Sequence, residues 1–201
     1  IYSLPFNMYT FFQLWGKHNP EEAIEIIEQT RYRGPVTNLE EFALSVVGEE
    51  IYRKLIYGYT KKQWMREPKD LPASILKRIP VRFEFNNNYF NDTYQGIPSE
   101  GYTKLCENLL NGATVELGVD FFKDRDRLLR SSKYVVYTGC IDEYFDYEYG
   151  QLDYRSLRFE EQKIPIINYQ GVSVVNYTSE DVPYTRIIEH KHFNNRNTGS
   201  T

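Results

Sequence analysis

Residues 38–57 read Asn38-Leu39-Glu40-Glu41-Phe42-Ala43-Leu44-Ser45-Val46-Val47-Gly48-Glu49-Glu50-Ile51-Tyr52-Arg53-Lys54-Leu55-Ile56-Tyr57. Asn38 with Glu41 three residues on is a helix-start signal, because the amide oxygen accepts an orphan backbone N–H at the first turn. Leu39, Phe42, Ala43, Val46 and Val47 follow at the helical period, and Gly48 breaks or bends the run before Ile51, Leu55 and Ile56 resume one apolar face. The same logic applies upstream. Asn19-Pro20-Glu21-Glu22 sets an N-cap, a first-position proline and an acidic first turn, which predicts a helix over 20–32 ended by Gly34-Pro35. Residues 9–15 predict another. Short amphipathic helices close in sequence pack as a small bundle.

From residue 79 the texture changes. Val81-Arg82-Phe83-Glu84-Phe85 alternates apolar and charged side chains, the pattern of a half-buried strand, and Asn86-Asn87-Asn88 and Asn91-Asp92 are turn formers. Further strands are expected over 114–117, 134–137, 154–159, 172–177 and 184–192, with helices over 101–110 and 125–130. The fold class predicted is α+β: a helical bundle over 1–78, its lid reaching to about 90, then a twisted, mainly antiparallel β-sheet domain over 79–193. Residues 194–201 are polar and read as a frayed tail.

Composition excludes several functions. At 201 residues, 41% hydrophobic and 26% charged, the chain is long enough for a core and too apolar for a disordered tail. A net charge of −4 lacks the basic surplus of a general nucleic-acid binder, and the apolar runs fall far short of the ~20 residues needed to cross a bilayer. Cys106 and Cys140 are too few for a disulfide scaffold and point to a reducing compartment. The first residues, Ile1-Tyr2-Ser3-Leu4-Pro5-Phe6, lack the basic and small-residue features of a signal peptide and read as a cut from something longer.

The outlier is aromatic content: 18 Tyr, 12 Phe and 2 Trp make 16% of the chain. Most of these rings belong in a core. Three segments, however, crowd rings, cations and turn residues together: Gly58-Tyr59-Thr60-Lys61-Lys62-Gln63-Trp64; Lys77-Arg78-Ile79-Pro80-Val81-Arg82-Phe83 running into residues 88–98; and residues 181–193, with Tyr184, Arg186, His190 and His192. Guanidinium forks beside tyrosine faces suit a diphosphate attached to a ring. A solvated cation over an aromatic ring is the plainer reading.

These segments, together with Leu4-Pro5-Phe6-Asn7-Met8, the Gly101-Tyr102-Thr103-Lys104-Leu105 run, the stretch 137–147 (YTGCIDEYFDY) and residues 182–193 (VPYTRIIEHKHF), closely resemble the bacterial UDP-galactopyranose mutases in order along the whole chain. The resemblance implies a cytoplasmic, FAD-dependent isomerase that interconverts UDP-galactopyranose and UDP-galactofuranose for cell-surface polysaccharide. In that family reduced flavin forms an N5–sugar adduct, covalent catalysis without net redox change. It implies a uridine-end site at Tyr59, Thr60 and Trp64, with Gln13 beside the uracil. Arg78, on a mobile lid, and Arg186 would hold the diphosphate as the catalytic arginines, where charge builds on the departing oxygen. Tyr89 and Asn176 would contact substrate, Arg155 would lie near the flavin, and Thr138 and Gly139 would approach FAD. A homodimer of the full-length protein is a further family expectation.

One departure stands out. A flavin domain needs a glycine-rich turn between strand and helix, and none of the 12 glycines forms that fingerprint. The sequence therefore reads as a middle segment: helical substrate domain, sheet domain, and a short flavin-domain remnant near 111–150. FAD retention and mutase turnover are not expected of it alone, and a non-catalytic UDP-binding module is the alternative. Weaker rivals are a metal site at His190 and His192, which lacks a third ligand, a free-glycan-binding module, and a carboxylate pair at Asp142 and Asp146, whose spacing marks a helix surface.

Overall fold

Leu39, Ala43 and Val47 stand four residues apart, so a helix puts them on one stripe. They do so in α3 (Leu39–Ile51), and Ile51, beyond a break at Gly48, is buried in the same core, each at or near complete burial. In the computed structural model, which describes residues 1–193, this stripe closes one core with Phe6, with Met8 and Phe11 of α1 (Met8–Trp15), and with Ala23 and Ile27 of α2 (Pro20–Thr30). Each of these helices starts at an asparagine cap: Asn7, Asn19 and Asn38 accept from the N–H of Tyr9, Glu21 and Glu41 at 2.7, 2.8 and 3.0 Å.

Gly48 sits inside α3 at φ 75°, ψ 175°, a left-handed kink that a side chain resists. The helix resumes, passes into a π-helical turn over Tyr52–Tyr57, and continues as α4 (Gly58–Trp64) to a left-handed cap at Met65. Residues 49–57 are thus helical as expected, with the hydrogen-bond spacing widened at the point where the site begins.

The chain forms two compact units. One takes residues up to Gly96 and resumes at Lys163; the other is Ile97–Gln162. In the first, β1 (Val174–Asn176) and β2 (Arg186–Ile188) pair antiparallel, with Asn176 opposite Arg186. The class is broadly α+β, but the sheet among the described residues is this two-stranded ribbon. Residues 81–85 form no strand. Val81 makes one parallel bridge to Phe6; Val81 and Phe83 pack half-buried against the core and Glu84 is exposed, as the alternation expects, but two positions depart from it, Arg82 at 9% exposed and Phe85 at 48%. The reason is that a loop of carbonyls encloses the guanidinium, as described below.

In the second unit α5 (Tyr102–Leu109), α6 (Arg125–Ser131) and the short α7 (Ile141–Tyr144) form as helices. The strands expected over 114–117, 134–137 and 154–159 do not form: no neighbour offers them a ladder, and Leu117, Val136 and Phe159 stand in solvent. This unit is held by an aromatic cluster of Phe121, Phe122, Tyr137, Tyr144 and Phe145, with the Arg125 guanidinium 4.8 Å from the Tyr144 ring. Asp142 and Asp146 do not share a helix, because α7 ends at Tyr144 and Asp146 turns to φ 53°. His190 and His192 lie in a 3₁₀ turn, His190–Phe193, and not on a strand; no group of three or more metal-ligating side chains occurs among the described residues. The frayed tail expected at 194–201 lies outside the described residues.

Candidate functional site

Gly58 opens α4 with no side chain, and the carbonyl oxygen of Thr178 fills the space: a Cβ there would stand 2.3 Å from it. One turn on, Lys62 donates to the carbonyls of Tyr177, Val182 and Tyr184 at 2.7, 3.1 and 3.0 Å. Desolvation lowers its ammonium below the ordinary lysine value. The connection between β1 and β2 is therefore seated on α4. At its far end Arg186, the first residue of β2, donates to the Tyr59 hydroxyl, its Cζ 6.0 Å from the ring centroid. Across the ribbon, Asn176 has a buried Oδ1 that meets no donor among the described residues.

Tyr59, Asn176 and Arg186 are thus brought together, 127 positions separating Tyr59 from Arg186 in sequence. Thr60 and Trp64 belong to the same helix; Thr60 is 6% exposed and Trp64 packs against the core. Tyr177 and Tyr184 close the ribbon with an edge-to-face pair at 4.9 Å. Beside them an open groove of about 400 Å³ runs between Arg53, Lys54 and Tyr57 on one wall and residues 178–181 on the other.

A second cluster shapes the loop carrying Tyr89. The Arg82 guanidinium donates to the carbonyls of Asn86, Asn88 and Phe90 and to Asn91 Oδ1. From the other side Asn7 Nδ2 donates to Asn87 Oδ1 at 2.8 Å. Tyr89 stands edge-to-face on Phe90 at 4.9 Å. Arg78 is exposed and makes no ion pair or side-chain hydrogen bond among the described residues. Gln13 accepts from the Ser3 N–H at 2.7 Å. Arg155, Thr138 and Gly139 lie exposed in the second unit.

Lys62, Arg82 and Gly58 carry no role in the sequence reading although all three lie in its quoted motifs. Their partners are main-chain carbonyls, which leave no mark in a sequence.

The family model GLF, UDP-galactopyranose mutase, matches residues 54–201. The chain belongs to the UDP-galactopyranose mutase family. α4, the Arg82 loop and both ribbon strands all fall within the match. Among curated relatives, dTDP-fucopyranose mutase of Escherichia coli is 45% identical over 96% of this chain and 53% of its own length. A probable UDP-galactopyranose mutase of Klebsiella pneumoniae is 42% identical over 96% of the chain and 50% of its own length. UDP-galactopyranose mutase of Mycoplasma pneumoniae is 31% identical over 71% of the chain and 39% of its own length. The chain spans about half the length of the curated relatives it matches. No helix among the described residues is long and apolar enough to cross a membrane.

In this family member the ribbon's outer end depends on a carboxylate. Glu189 accepts the backbone N–H groups of Tyr169 and Gln170 at 3.1 and 2.9 Å and pairs with Lys191 at 2.5 Å, with His192 Nε2 3.3 Å away. The Lys191 hydrogen bond above all draws its carboxyl from 4.5 to about 2. A depressed carboxylate contributes stability above its unfolded value and loses it as pH falls through the folded one. The amides of Tyr169 and Gln170 are therefore expected to exchange faster as pH drops from about 4.5 toward 2, after correction for intrinsic exchange. Glu189→Gln should abolish that pH dependence; an unchanged profile in the variant would refute the assignment.

Proposed function

We propose that the first unit is the nucleotide-sugar-binding part of a mutase that interconverts UDP-galactopyranose and UDP-galactofuranose. The Arg186–Tyr59 pairing carries this reading, since it puts a forked cation against an aromatic face at the end of a helix that also bears Thr60 and Trp64. A diphosphate takes the fork bidentately and a pyrimidine takes a ring face. In this reading Arg186 and Arg78 hold the diphosphate as negative charge builds on it. Tyr89 reaches a phosphate from the Arg82 loop, Asn176 offers its unpartnered amide oxygen to a sugar hydroxyl, and Gln13 contributes at the base. Arg155, in the second unit, keeps only the near-flavin role that the family resemblance implies, and the whole protein would work in the cytoplasm.

Flavin supplies the redox-active ring in the proposed reaction, but the described residues do not fit it by themselves. Thr138 and Gly139 are exposed, the Tyr137 ring fills the space over Gly139, and the sequence carries no glycine-rich fingerprint. The property expected of this chain is binding, and turnover belongs to the whole protein. A second reading concerns the nucleotide: the 45% identity to a dTDP-fucopyranose mutase favours a thymidine diphosphate in place of UDP.

Calorimetric titration with UDP and with dTDP tests both. The chain is expected to bind UDP more tightly than dTDP, and Arg186→Ala is expected to weaken UDP by about 10- to 100-fold, the worth of charge-assisted hydrogen bonds. Trp64→Ala should also weaken it. Wild-type and variant curves that coincide would remove the site; tighter dTDP binding would change the substrate.

A further inference from the structure

α4 carries two adjacent lysines whose partners differ in kind. Lys61 pairs with the carboxylates of Glu67 and Glu180 at 3.0 and 3.3 Å. Lys62 makes no ion pair among the described residues. An ammonium has three donors, and Lys62 directs its hydrogen bonds to three main-chain carbonyls, those of Tyr177, Val182 and Tyr184. The acceptors bracket one connection. Tyr177 directly follows β1, and Tyr184 stands two residues before Arg186, which opens β2.

Besides Lys62, the Lys61–Glu180 pair at 3.3 Å, the Tyr177 N–H on the Thr185 carbonyl at 2.9 Å and the Tyr177–Tyr184 ring pair act on the ribbon. It pairs over three residues per strand, and a two-stranded ribbon is marginal by itself. Arg186 is exposed, so no packing wall holds its side chain. Gly58 and Tyr59 lie four and three residues before Lys62, on the same helix face. Among the described residues the ribbon and its connection meet α4 at four points: the Thr178 carbonyl over Gly58, the Glu180 carboxylate on Lys61, the loop carbonyls on Lys62, and Arg186 on Tyr59.

We propose that Lys62 is a positioning residue that, by clamping the three carbonyls of the β1–β2 connection, sets Arg186 on Tyr59 and so fixes the spacing between the diphosphate and base ends of the nucleotide site. The clamp bears on affinity only in so far as Arg186 is a diphosphate ligand, so it rests there on the function proposed above. A charged residue suits the task because hydrogen bonds from an ion to carbonyls are worth roughly twice neutral ones. Lysine suits it better than arginine because its three donors diverge from one point, as the three carbonyls require, whereas the guanidinium fork is planar.

The test uses the full 201-residue chain, as wild type, Lys62→Met, Lys62→Gln, Lys62→Arg, Arg186→Ala and the double variant Lys62→Met/Arg186→Ala. Two readouts are taken: nuclear Overhauser contacts between the Tyr59 ring and the Arg186 side chain, and UDP affinity by titration. Amide shifts of α3 report on the core separately. Lys62→Met is expected to lose the Tyr59–Arg186 contact with the α3 shifts unmoved, and to bind UDP about tenfold more weakly. Lys62→Gln, which keeps two donors, and Lys62→Arg, which keeps the charge, should each recover part of the contact. The double variant should bind no more weakly than Arg186→Ala, since a residue acting through Arg186 has nothing left to position. A Tyr59–Arg186 contact that survives Lys62→Met overturns the proposal, and so do additive losses in the double variant. If the contact follows Lys62 as described but wild type gives no UDP heat, the clamp stands and the nucleotide reading falls.

Discussion

Gly58→Ala is expected to weaken UDP binding by about 10- to 100-fold, as loss of Arg186 does, while leaving the thermal midpoint of the helical core unchanged or slightly raised. Two effects of the added methyl oppose each other. Gly58 already has helical backbone angles, φ −65° and ψ −36°, so alanine favours α4 by about 1 kcal/mol. The methyl carbon, however, would stand 2.3 Å from the Thr178 carbonyl oxygen and 3.4 Å from Glu180 Cγ. The nearer obstacle is main chain, which cannot swing aside as a side-chain tip does, so the β1–β2 connection must move away from the helix. Overpacking of this kind costs about 1–3 kcal/mol, and here the strain falls on the contacts that join the ribbon to α4. Tyr177 precedes Thr178, so its bond to Lys62 lengthens with the same displacement, and Arg186 leaves Tyr59. Circular dichroism melting and UDP titration on the same samples separate the two effects. A variant that melts like wild type and binds UDP like wild type would show that the ribbon's seat on α4 does not matter to the site.

The helical half was legible because its signals are local. An asparagine cap, a first-turn proline and an apolar repeat all act within one or two turns, and α2 and α3 start where Asn19 and Asn38 place them; α1, expected over 9–15, runs Met8–Trp15 from an Asn7 cap that the sequence reading did not name. Strands depend on partners elsewhere in the chain. Residues 172–177 and 184–192 find each other in part, as Val174–Asn176 with Arg186–Ile188, whereas residues 114–117, 134–137 and 154–159 have the side chains of strands and nothing to pair with. The alternation at 81–85 misled for a different reason. A charged residue between apolar ones is read as facing water, but Arg82 faces inward because four acceptors from residues 86–91 converge on it. The site divides the same way. Tyr59 and Arg186 were named from the family resemblance and not from spacing, since no local pattern links residues so far apart. Lys62 and Arg82 were quoted and passed over, because a cation satisfied by backbone looks in sequence like one satisfied by solvent.

Arg82→Met and Arg78→Ala, four positions apart, are expected to fail in opposite ways. Arg82 is nearly buried, spends its donors on three carbonyls and Asn91 Oδ1, and makes no ion pair among the described residues. Methionine replaces the stem and removes every donor, leaving those carbonyls to find water or other partners. The loss of several charged hydrogen bonds in a partly closed site is worth about 3 kcal/mol, which for a unit of this size lowers the melting temperature by roughly 10 °C. The loop that presents Tyr89 should loosen with it, so UDP affinity falls as well. Arg78 is exposed and free of partners among the described residues, so its truncation leaves the fold intact within about 0.5 kcal/mol. Its proposed contact is with the ligand alone. Arg78→Ala should therefore melt with wild type and bind UDP more weakly, and the loss should shrink as salt is raised and exposed charges are screened. An Arg82→Met protein that melts with wild type would mean that the carbonyl cage does not stabilise the loop, and an Arg78→Ala protein that binds UDP as wild type would remove Arg78 from the diphosphate site.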